Sequence, residues 1–299
     1  MSLLPYDDRD GVIWFDGEFV PWREAKLHVL SHGLHYASCV FEGERVYNGH
    51  TFKLTPHTER LHHSAKVLGF EIPYSVAEID EACRGLIREN KLVDGYIRPV
   101  AWRGSEMMGV SAQQSKIHLA IASWEWPAYF SPEARMEGIR MKISPWRRPG
   151  PDTAPTDSKA AGLYMICTLS KHMAEAEGYN DALMFDYRGR IAEATGANIF
   201  FVRDGELHTP DPDCFLNGIT RRTVMDLARK RGYVIHERAI MPDELPSFSE
   251  AFIVGTAVEV TPVREIDEHR FKAGEMTVNL LKDYDALVRE AGAQSAAAE

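Results

Sequence analysis

The chain has 299 residues, 44% of them hydrophobic, and a formal net charge of −10. This length and apolar content predict one large or two ordinary globular domains. The excess of acidic residues argues against nucleic acid or an anionic membrane as the main partner, because binding to either depends on clustered Lys and Arg.

Two hairpins are predicted near the N-terminus. An Asp-Gly pair at 16–17 and an Asn-Gly pair at 48–49 each separate apolar segments, and both pairs favour the two-residue turn of a β-hairpin. The predicted strands cover residues 12–15, 18–20, 40–47 and 51–54.

Two helices and two more strands follow. Thr55 and Pro56 are typical of a helix start with proline in the first turn, and Ser75 with Glu78 forms a capping box that opens a second helix. Strands are then predicted over 96–102 and 116–126, before a connecting segment that contains two prolines. We therefore predict a first domain at 1–127, a connector at 128–138 and a second domain at 139–299.

The second domain is predicted to mix hairpins with helices. A strand over 139–143 leads to a loop rich in Pro and Arg, and hairpin turns are predicted at Gly189 and Gly205. The other predicted elements are helices over 163–176 and 220–231 and a buried strand over 251–254. This order of elements predicts an α+β fold.

One lysine and one glutamate stand out by their surroundings. Lys159 lies in the polar segment PTDSKAAGLY, and Glu193 lies at a predicted strand edge in IAEATGANIF. A pyridoxal phosphate enzyme needs a lysine amine that forms a Schiff base and a carboxylate that keeps the pyridine nitrogen protonated. Taken singly, Lys159 could be an ordinary surface charge and Glu193 an ordinary polar partner on a strand.

Two further segments could hold a phosphate group. Residues 218–220 form a predicted helix start, where backbone N–H groups lack partners inside the helix, and residues 255–257 form a turn of small residues. The lysine, the glutamate, the helix start and the small-residue turn occur in the order expected of a pyridoxal phosphate enzyme. All four together favour that interpretation over a chance arrangement.

These segments resemble the class IV pyridoxal phosphate aminotransferases, and most closely the branched-chain amino acid aminotransferases. The similarity covers nearly the whole chain. Besides the Lys159 and Glu193 segments, it is carried by the strings WFDG, SHGLHY, FEGER, YIRP and GTAVEVTPV. The resemblance implies a two-domain fold of type IV, with a small N-terminal α/β domain, a larger C-terminal domain and the cofactor at their interface.

The resemblance implies a role for each cofactor-binding residue. Lys159 would be the catalytic residue, which binds the cofactor and moves a proton to and from the substrate. Glu193 would hold the pyridine nitrogen, and Tyr164 would donate to the ring oxygen. The phosphate would be held by Arg60, Ile219, Thr220 and Thr256.

The same resemblance implies a substrate pocket that accepts either an apolar side chain or the distal carboxylate of glutamate. Its α-carboxylate site is assigned to Tyr96 and the backbone of Thr256 and Ala257. Its distal carboxylate site is assigned to Arg98, Tyr129 and a Tyr36 from a neighbouring subunit. Its apolar walls are assigned to Phe41, Val110, Trp126 and Tyr164.

The predicted reaction is transamination between branched-chain L-amino acids (Leu, Ile, Val) and 2-oxoglutarate, which gives branched 2-oxo acids and glutamate. Amino acids and 2-oxo acids are the expected small-molecule partners. Because Tyr36 and Val110 would come from a neighbour, we expect a homodimer or a larger homo-oligomer.

Three alternatives stay open. Glu44 replaces the aliphatic residue usual in FEGxR segments, and the loop 104–110 is rich in Met and acidic, so an amine or D-amino acid transaminase of the same class is one alternative. A lyase similar to aminodeoxychorismate lyase is the second. The third, from a different class, is a metal site built on histidines 28, 32, 35, 57, 62 and 63. A His-Glu-x-x-His pattern is missing around His28, so we predict no metal.

The cysteines and the N-terminus bear on the compartment. Cys39, Cys83, Cys167 and Cys214 are widely spaced, which indicates neither a zinc ribbon nor a disulfide framework. The first residues do not form a signal peptide, and no apolar run is long enough to span a membrane. We therefore expect a cytoplasmic enzyme.

Overall fold

A computed structural model describes residues 5–126, 129, 130, 135 and 137–296, with side chains through Glu290. The chain divides into two compact units. The first comprises Met1–Pro127, Ser158–Gly162 and Arg289–Glu299, and the second comprises Ala128–Asp157 and Leu163–Val288. The segment with Lys159 thus groups with the first unit. Most of the proposed connector lies outside the described residues, and the proposed domain limits stay a prediction.

The first unit is built on one sheet. Its strands are β1 (Val12–Phe15), β2 (Glu18–Pro21), β3 (Cys39–Phe41), β4 (Glu44–Tyr47), β5 (His50–Thr51), β6 (Gly95–Arg103) and β7 (Ile117–Glu125). Its helices are α1 (His32–Tyr36), α2 (Leu54–Val67) and α3 (Val76–Glu89). The strand order is β2-β1-β7-β6-β4-β5, with β3 also paired to β6. The apolar side chains of α2 and α3 pack on the sheet with Ile97 and Ile121.

Local backbone preferences explain the hairpins and the α3 start. Asp16 and Gly17 both have positive φ (48° and 105°), as a tight hairpin turn requires. Ser75 Oγ accepts from Glu78 N at 3.3 Å, and the Glu78 side chain accepts from Ser75 N at 2.7 Å, so the predicted capping box is confirmed.

Three predicted elements in this unit differ from the structure. The strand predicted over 51–54 is confined to β5 (His50–Thr51), because Leu54 already begins α2. The strand predicted over 40–47 is interrupted at residues 42–43, between β3 and β4. The helix predicted from Thr55 begins at Leu54, after Lys53 in a left-handed conformation. The Thr55 hydroxyl instead donates to Asp80 Oδ2 at 2.5 Å, so a tertiary contact takes the side chain that could have capped the helix.

The second unit is built on a larger sheet. Its strands are β8 (Ile139–Arg148), β9 (Asp181–Asp186), β10 (Ile191–Ala194), β11 (Asn198–Arg203), β12 (Glu206–Pro210), β13 (Ile235–Arg238), β14 (Glu250–Gly255), β15 (Glu259–Ile266) and β16 (His269–Arg270). Helices α4 (Met165–Ala176) and α5 (Ile219–Lys230) belong to it, and α6 (Glu275–Ala296) begins in it.

Strand pairing closes part of this sheet on itself. The order is β10-β9-β8-β15-β14-β11-β12-β13, and β10 pairs with β11 as well. The strands from β10 round to β11 therefore form a ring with an apolar core that includes Ile139, Ile199 and Val263. The predicted strand over 139–143 extends to Arg148, so the Arg-rich segment expected to be a loop is partly strand. No helix in the described part of the chain is long and apolar enough to cross a membrane.

Candidate functional site

Lys159 is fixed through its backbone in the first unit. Its N–H donates to Ser64 Oγ on α2 at 3.0 Å, and its carbonyl accepts from Phe41 N at 3.2 Å. The neighbouring Ser158 hydroxyl donates to the Ser64 carbonyl at 3.0 Å. The lysine backbone is therefore held between α2 and β3, while its side chain is half-buried.

Aromatic rings and a second cation surround this lysine. Its Nζ lies 4.9 Å from the Phe41 ring centroid, and Arg98 Cζ lies 4.7 Å from the same centroid. Tyr96 lies two residues before Arg98 on β6, and its ring lies 5.2 Å from that of Trp126. The first unit thus brings together Lys159, Phe41, Tyr96, Arg98 and Trp126. Apolar walls with two cations suit an anion that carries an apolar group.

Gly43, which lies in the break of the strand predicted over 40–47, leaves room for the side chain of Tyr96. A Cβ atom on Gly43 would lie 1.7 Å from the Tyr96 hydroxyl oxygen, so the hydroxyl rests directly against the Gly43 backbone. Only glycine leaves this space. The break between β3 and β4 lies opposite Pro99 of β6, which accepts from Glu42 N at 2.9 Å but has no N–H to return to the ladder.

A buried carboxylate orients Arg60. Glu42 accepts from Arg60 Nε at 2.6 Å, from Arg60 Nη2 at 2.8 Å and from His57 Nδ1 at 2.7 Å. Burial alone would raise the pKa of Glu42, but Arg60 and His57 lower it well below its usual value. Burial lowers the pKa of His57 in spite of the facing carboxylate. Arg60 is therefore locked to an ionised partner with two parallel hydrogen bonds.

Glu193 lies in a similar pair in the second unit. It is buried on β10, its Oε1 is 3.3 Å from Arg148 Nε, and its Oε2 accepts from Asn198 Nδ2 at 3.2 Å. Arg148 Nη1 also donates to Cys167 Sγ at 3.1 Å. Burial lowers the pKa of Arg148, but Glu193, Cys167 and Tyr164 outweigh this effect and raise it. The Glu193 carboxylate therefore faces the Arg148 guanidinium on one side and the Asn198 amide on the other.

The start of α5 lies close to this carboxylate. Asn198 Nδ2 also donates to the Leu216 carbonyl at 3.0 Å, and a Cβ on Gly218 would lie 2.3 Å from Asn198 Oδ1. Gly218 is the N-cap of α5 and offers no side chain to the first N–H groups, at Ile219 and Thr220. These groups and the helix dipole form a ready anion site.

The turn after β14 borders the same loop. A Cβ on Gly255 would lie 3.4 Å from Ala197 Cβ and 3.4 Å from the Gly196 carbonyl oxygen. Thr256 and Ala257 follow in this turn and are half-buried. The second unit therefore gathers the carboxylate, the helix start and the small-residue turn at the ends of β10, β11 and β14.

Comparison with known proteins identifies the family. The model of the amino-transferase class IV family matches residues 39–266. The chain belongs to the class IV aminotransferases. A branched-chain-amino-acid aminotransferase of Pseudomonas aeruginosa is 44% identical over 288 residues, which cover 94% of this chain and 94% of that protein.

Solved structures of class IV aminotransferases agree with the fold. The branched-chain amino acid aminotransferase of Escherichia coli aligns with a TM-score of 0.91 at 38% identity, covering 94% of this chain and 95% of that one. The T.th. branched-chain amino acid aminotransferase with pyridoxamine 5'-phosphate aligns with a TM-score of 0.91 at 39% identity and the same coverage. The predicted family and the α+β fold are confirmed. Class IV aminotransferases use pyridoxal phosphate and act on amino and 2-oxo acids.

Three predicted pocket residues of this class IV aminotransferase are exposed. Tyr36 and Val110 in the first unit are 45% and 88% exposed, and Tyr129 in the second unit packs its half-exposed ring on Phe130 at 4.9 Å. The roles given to these residues stay predictions.

The sequence analysis missed four polar partners. Ser64 and Glu42 hold Lys159 and Arg60, and Arg148 and Asn198 hold Glu193. Glu42 and Asn198 lie inside the strings that carry the resemblance, and Arg148 lies in the Arg-rich segment before Lys159. Their polar or charged residue types were the only signal in the sequence. The groups that they bind are distant in sequence or lie on another strand, so the pairs could not be predicted.

Proposed function

We propose that this class IV aminotransferase transfers the amino group of Leu, Ile or Val to 2-oxoglutarate, giving branched 2-oxo acids and glutamate. One observation carries the proposal. A lysine amine and an arginine guanidinium approach the same phenylalanine ring, next to Tyr96 and Trp126. Such a site suits amino acids with apolar side chains and still offers a cation to a second carboxylate. The similarity to branched-chain-amino-acid aminotransferases supports it.

We propose pyridoxal 5'-phosphate as the cofactor, and the residues present fit it. The fit rests on the buried Glu193 carboxylate beside Arg148 and on the glycine N-cap of α5, where a Cβ would fill the available space. When bound, this cofactor supplies a carbonyl carbon for the amino group and a ring that withdraws electrons from the substrate Cα.

Each cofactor-binding residue has a separate task in the proposal. Glu193 would accept a hydrogen bond from the pyridine nitrogen, and Arg148 would hold the carboxylate in place for that purpose. Tyr164 would donate to the ring oxygen. The phosphate is assigned to the first N–H groups of α5 at Ile219 and Thr220, to Thr256 and to Arg60.

Lys159 is the proposed catalytic residue. Its Nζ would hold the cofactor and would accept the proton from the substrate Cα and return it. The backbone hydrogen bonds to Ser64 and Phe41 limit the positions from which Nζ can do this.

Substrate binding is divided between polar and apolar groups. Tyr96 and the backbone of Thr256 and Ala257 are proposed to bind the α-carboxylate. The distal carboxylate of glutamate is proposed to meet Arg98, Tyr129 and a neighbour's Tyr36. Apolar side chains are proposed to contact Phe41, Val110, Trp126 and Tyr164.

A homodimer, or a larger homo-oligomer, completes the proposed pocket. Leu27, Val29, Leu30 and Leu34 are all exposed by 47% or more in the single chain, and Tyr36 lies two residues after Leu34. Several exposed apolar residues close together in the sequence are typical of a protein interface. A neighbour that covers the segment would receive Tyr36 and Val110 at its own site.

We also propose that the enzyme is cytoplasmic. All four cysteines are free thiols, which is usual where the environment is reducing.

A half-reaction panel tests the proposed function. Purified enzyme is mixed with single L-amino acids, D-amino acids and (R)- or (S)-amines, and conversion of the bound cofactor is followed by absorbance. We expect conversion by L-leucine, L-isoleucine, L-valine and L-glutamate, and no conversion in a Lys159→Ala variant. Conversion by D-amino acids or amines alone would establish the first alternative. Release of pyruvate from aminodeoxychorismate over repeated turnovers, with no amino acceptor present, would establish the lyase.

A further inference from the structure

His32 joins two separate exposed segments of the first unit. It is the first residue of α1 and is 3% exposed. Its Nε2 lies 2.7 Å from the Gly109 carbonyl oxygen, and its Nδ1 lies 3.0 Å from Ser38 Oγ. Because a carbonyl can only accept, Nε2 carries the hydrogen, and in the neutral imidazole this leaves Nδ1 to accept from the Ser38 hydroxyl.

The same imidazole supports Tyr36. The two rings are stacked, with centroids 4.5 Å apart and an interplanar angle of 23°. Tyr36 is 45% exposed, and Val110, which follows Gly109, is 88% exposed. The buried His32 side chain therefore contacts both the segment that carries Tyr36 and the segment that carries Val110.

The hydrogen bond to Gly109 acts at the tip of the loop 104–110. The base of this loop is fixed separately, because Gly104 N donates to the Lys116 carbonyl at 2.8 Å and Gly104 O accepts from His32 N at 2.8 Å. A Cβ on Gly109, by contrast, would meet no atom within 4 Å, and its φ is +142°. The tip has little packing of its own, so one hydrogen bond has a large share in its position.

We propose that His32 is a positioning residue for substrate specificity, which holds Tyr36 and the Gly109–Val110 tip at a fixed spacing for the pocket of a neighbouring subunit. The proposal rests on the proposed function, which assigns Tyr36 to the distal carboxylate and Val110 to the apolar wall. His32 links these two parts of the side-chain pocket without contacting substrate itself.

Two substitutions separate the two contacts. His32→Phe keeps a flat ring against Tyr36 but removes the donor to Gly109, and His32→Gln keeps an N–H donor but removes the ring. We expect His32→Phe to raise the KM for leucine about two- to tenfold with little change for glutamate. We expect His32→Gln to raise the KM for glutamate by a similar factor. In both variants kcat should change less than KM.

Hybrid dimers show in which subunit His32 acts. A His32→Phe subunit paired with a Lys159→Ala subunit has one intact lysine, and that pocket faces the intact His32 of the other chain. We expect the hybrid to have the leucine KM of the wild-type enzyme. A raised KM in the hybrid, an active monomer, or equal changes for both substrates in both variants would overturn the proposal.

Ser38→Ala is a smaller change, which keeps the test valid if the His32 variants fail to fold. Ser38→Ala removes the donor to Nδ1 and leaves the bond to Gly109, so it should shift the leucine KM in the direction of His32→Phe, but by less. Unchanged KM values in all three variants would also overturn the proposal for His32. A wild-type enzyme without transaminase activity would instead refute the proposed function.

Discussion

Arg98 is the residue that should distinguish the two substrates of the proposed reaction. Its guanidinium lies over the rings of Phe41 and Tyr96 and can pair with a carboxylate through two hydrogen bonds. Arg98→Ala should slow the glutamate half-reaction about tenfold to a hundredfold, since a hydrogen bond to a charged group is worth about 1.5 to 3 kcal/mol. The leucine half-reaction should change much less, and stopped-flow absorbance measures both.

Arg103 on the same strand provides the control. It donates to the Gly69 carbonyl at 2.7 Å and to the Ala112 carbonyl at 3.2 Å, so its role is structural. Arg103→Ala should lower the stability of the fold, and its effect on the glutamate half-reaction should not differ from its effect on the leucine half-reaction. Equal losses on leucine and glutamate in Arg98→Ala would make Arg98 structural as well.

Glu44 is a second unusual residue, because both carboxyl oxygens are buried and lack a hydrogen-bond partner among the described residues. Burial, followed by the nearby Glu42 and Asp80, raises the pKa of Glu44 well above its usual value. The side chain is therefore a neutral acid over a pH range in which an exposed glutamate is ionised.

This raised pKa predicts how stability depends on pH. In the unfolded chain Glu44 ionises near pH 4.3, about its ordinary pKa, and in the folded chain it ionises at higher pH. Its stabilising contribution is therefore complete below the unfolded pKa and is lost as the pH rises through the folded one. Glu44→Gln cannot ionise, so over this window the wild type should lose up to about 1.4 kcal/mol per pH unit relative to the variant.

Denaturant unfolding of both proteins across the pH range measures this difference. Parallel stability curves for wild type and Glu44→Gln would show that Glu44 is ionised in the folded protein as well. Activity should survive the substitution, because Glu44 lies among core residues and has no assigned role at the substrate.

Among the elements, the start of α5 should bind the phosphate because its N-cap is glycine. In Gly218→Ala the added Cβ would lie 2.3 Å from Asn198 Oδ1 and disturb the side chain that supports Glu193. Strain of about 1 to 3 kcal/mol should weaken cofactor affinity about tenfold to a hundredfold. Cofactor absorbance after dialysis measures the affinity.

The capping box of α3 gives a matched comparison. Ser75→Ala removes a side-chain cap and should cost about 1 kcal/mol of stability without loss of cofactor. If Gly218→Ala retained the cofactor as well as Ser75→Ala does, the phosphate would not depend on the start of α5.

For the whole molecule, the exposed apolar segment at 27–36 should control assembly. Leu34 is 63% exposed in the single chain, and burial of a leucine contributes about 1.5 to 3 kcal/mol. Leu34→Asp should therefore weaken the proposed dimer at least tenfold to a hundredfold and lower activity at low protein concentration. Light scattering combined with activity against concentration measures the effect.

Val93 is the control for this substitution. It is similarly exposed, at 61%, but lies outside the segment. Val93→Asp should leave both assembly and activity unchanged. A Leu34→Asp enzyme that stays dimeric, or a fully active monomer, would contradict the shared pocket.

The sequence by itself determined the features that depend on short-range chemistry. The Asp16-Gly17 turn and the Ser75–Glu78 capping box follow from the backbone preferences of neighbouring residues. The family followed from Lys159, Glu193 and the strings around them, because cofactor chemistry requires these residue types.

Only the tertiary structure decided features that join distant segments. The break at 42–43 depends on Pro99, which faces Glu42 from β6 without an N–H to donate, and the extension of β8 to Arg148 depends on pairing with β9. The partners that orient Lys159, Arg60 and Glu193 were missed for the same reason. A buried charge or hydroxyl is stabilised by whichever group the fold brings within hydrogen-bond distance. The spacing of two residues along the chain does not tell how close they lie in the folded protein.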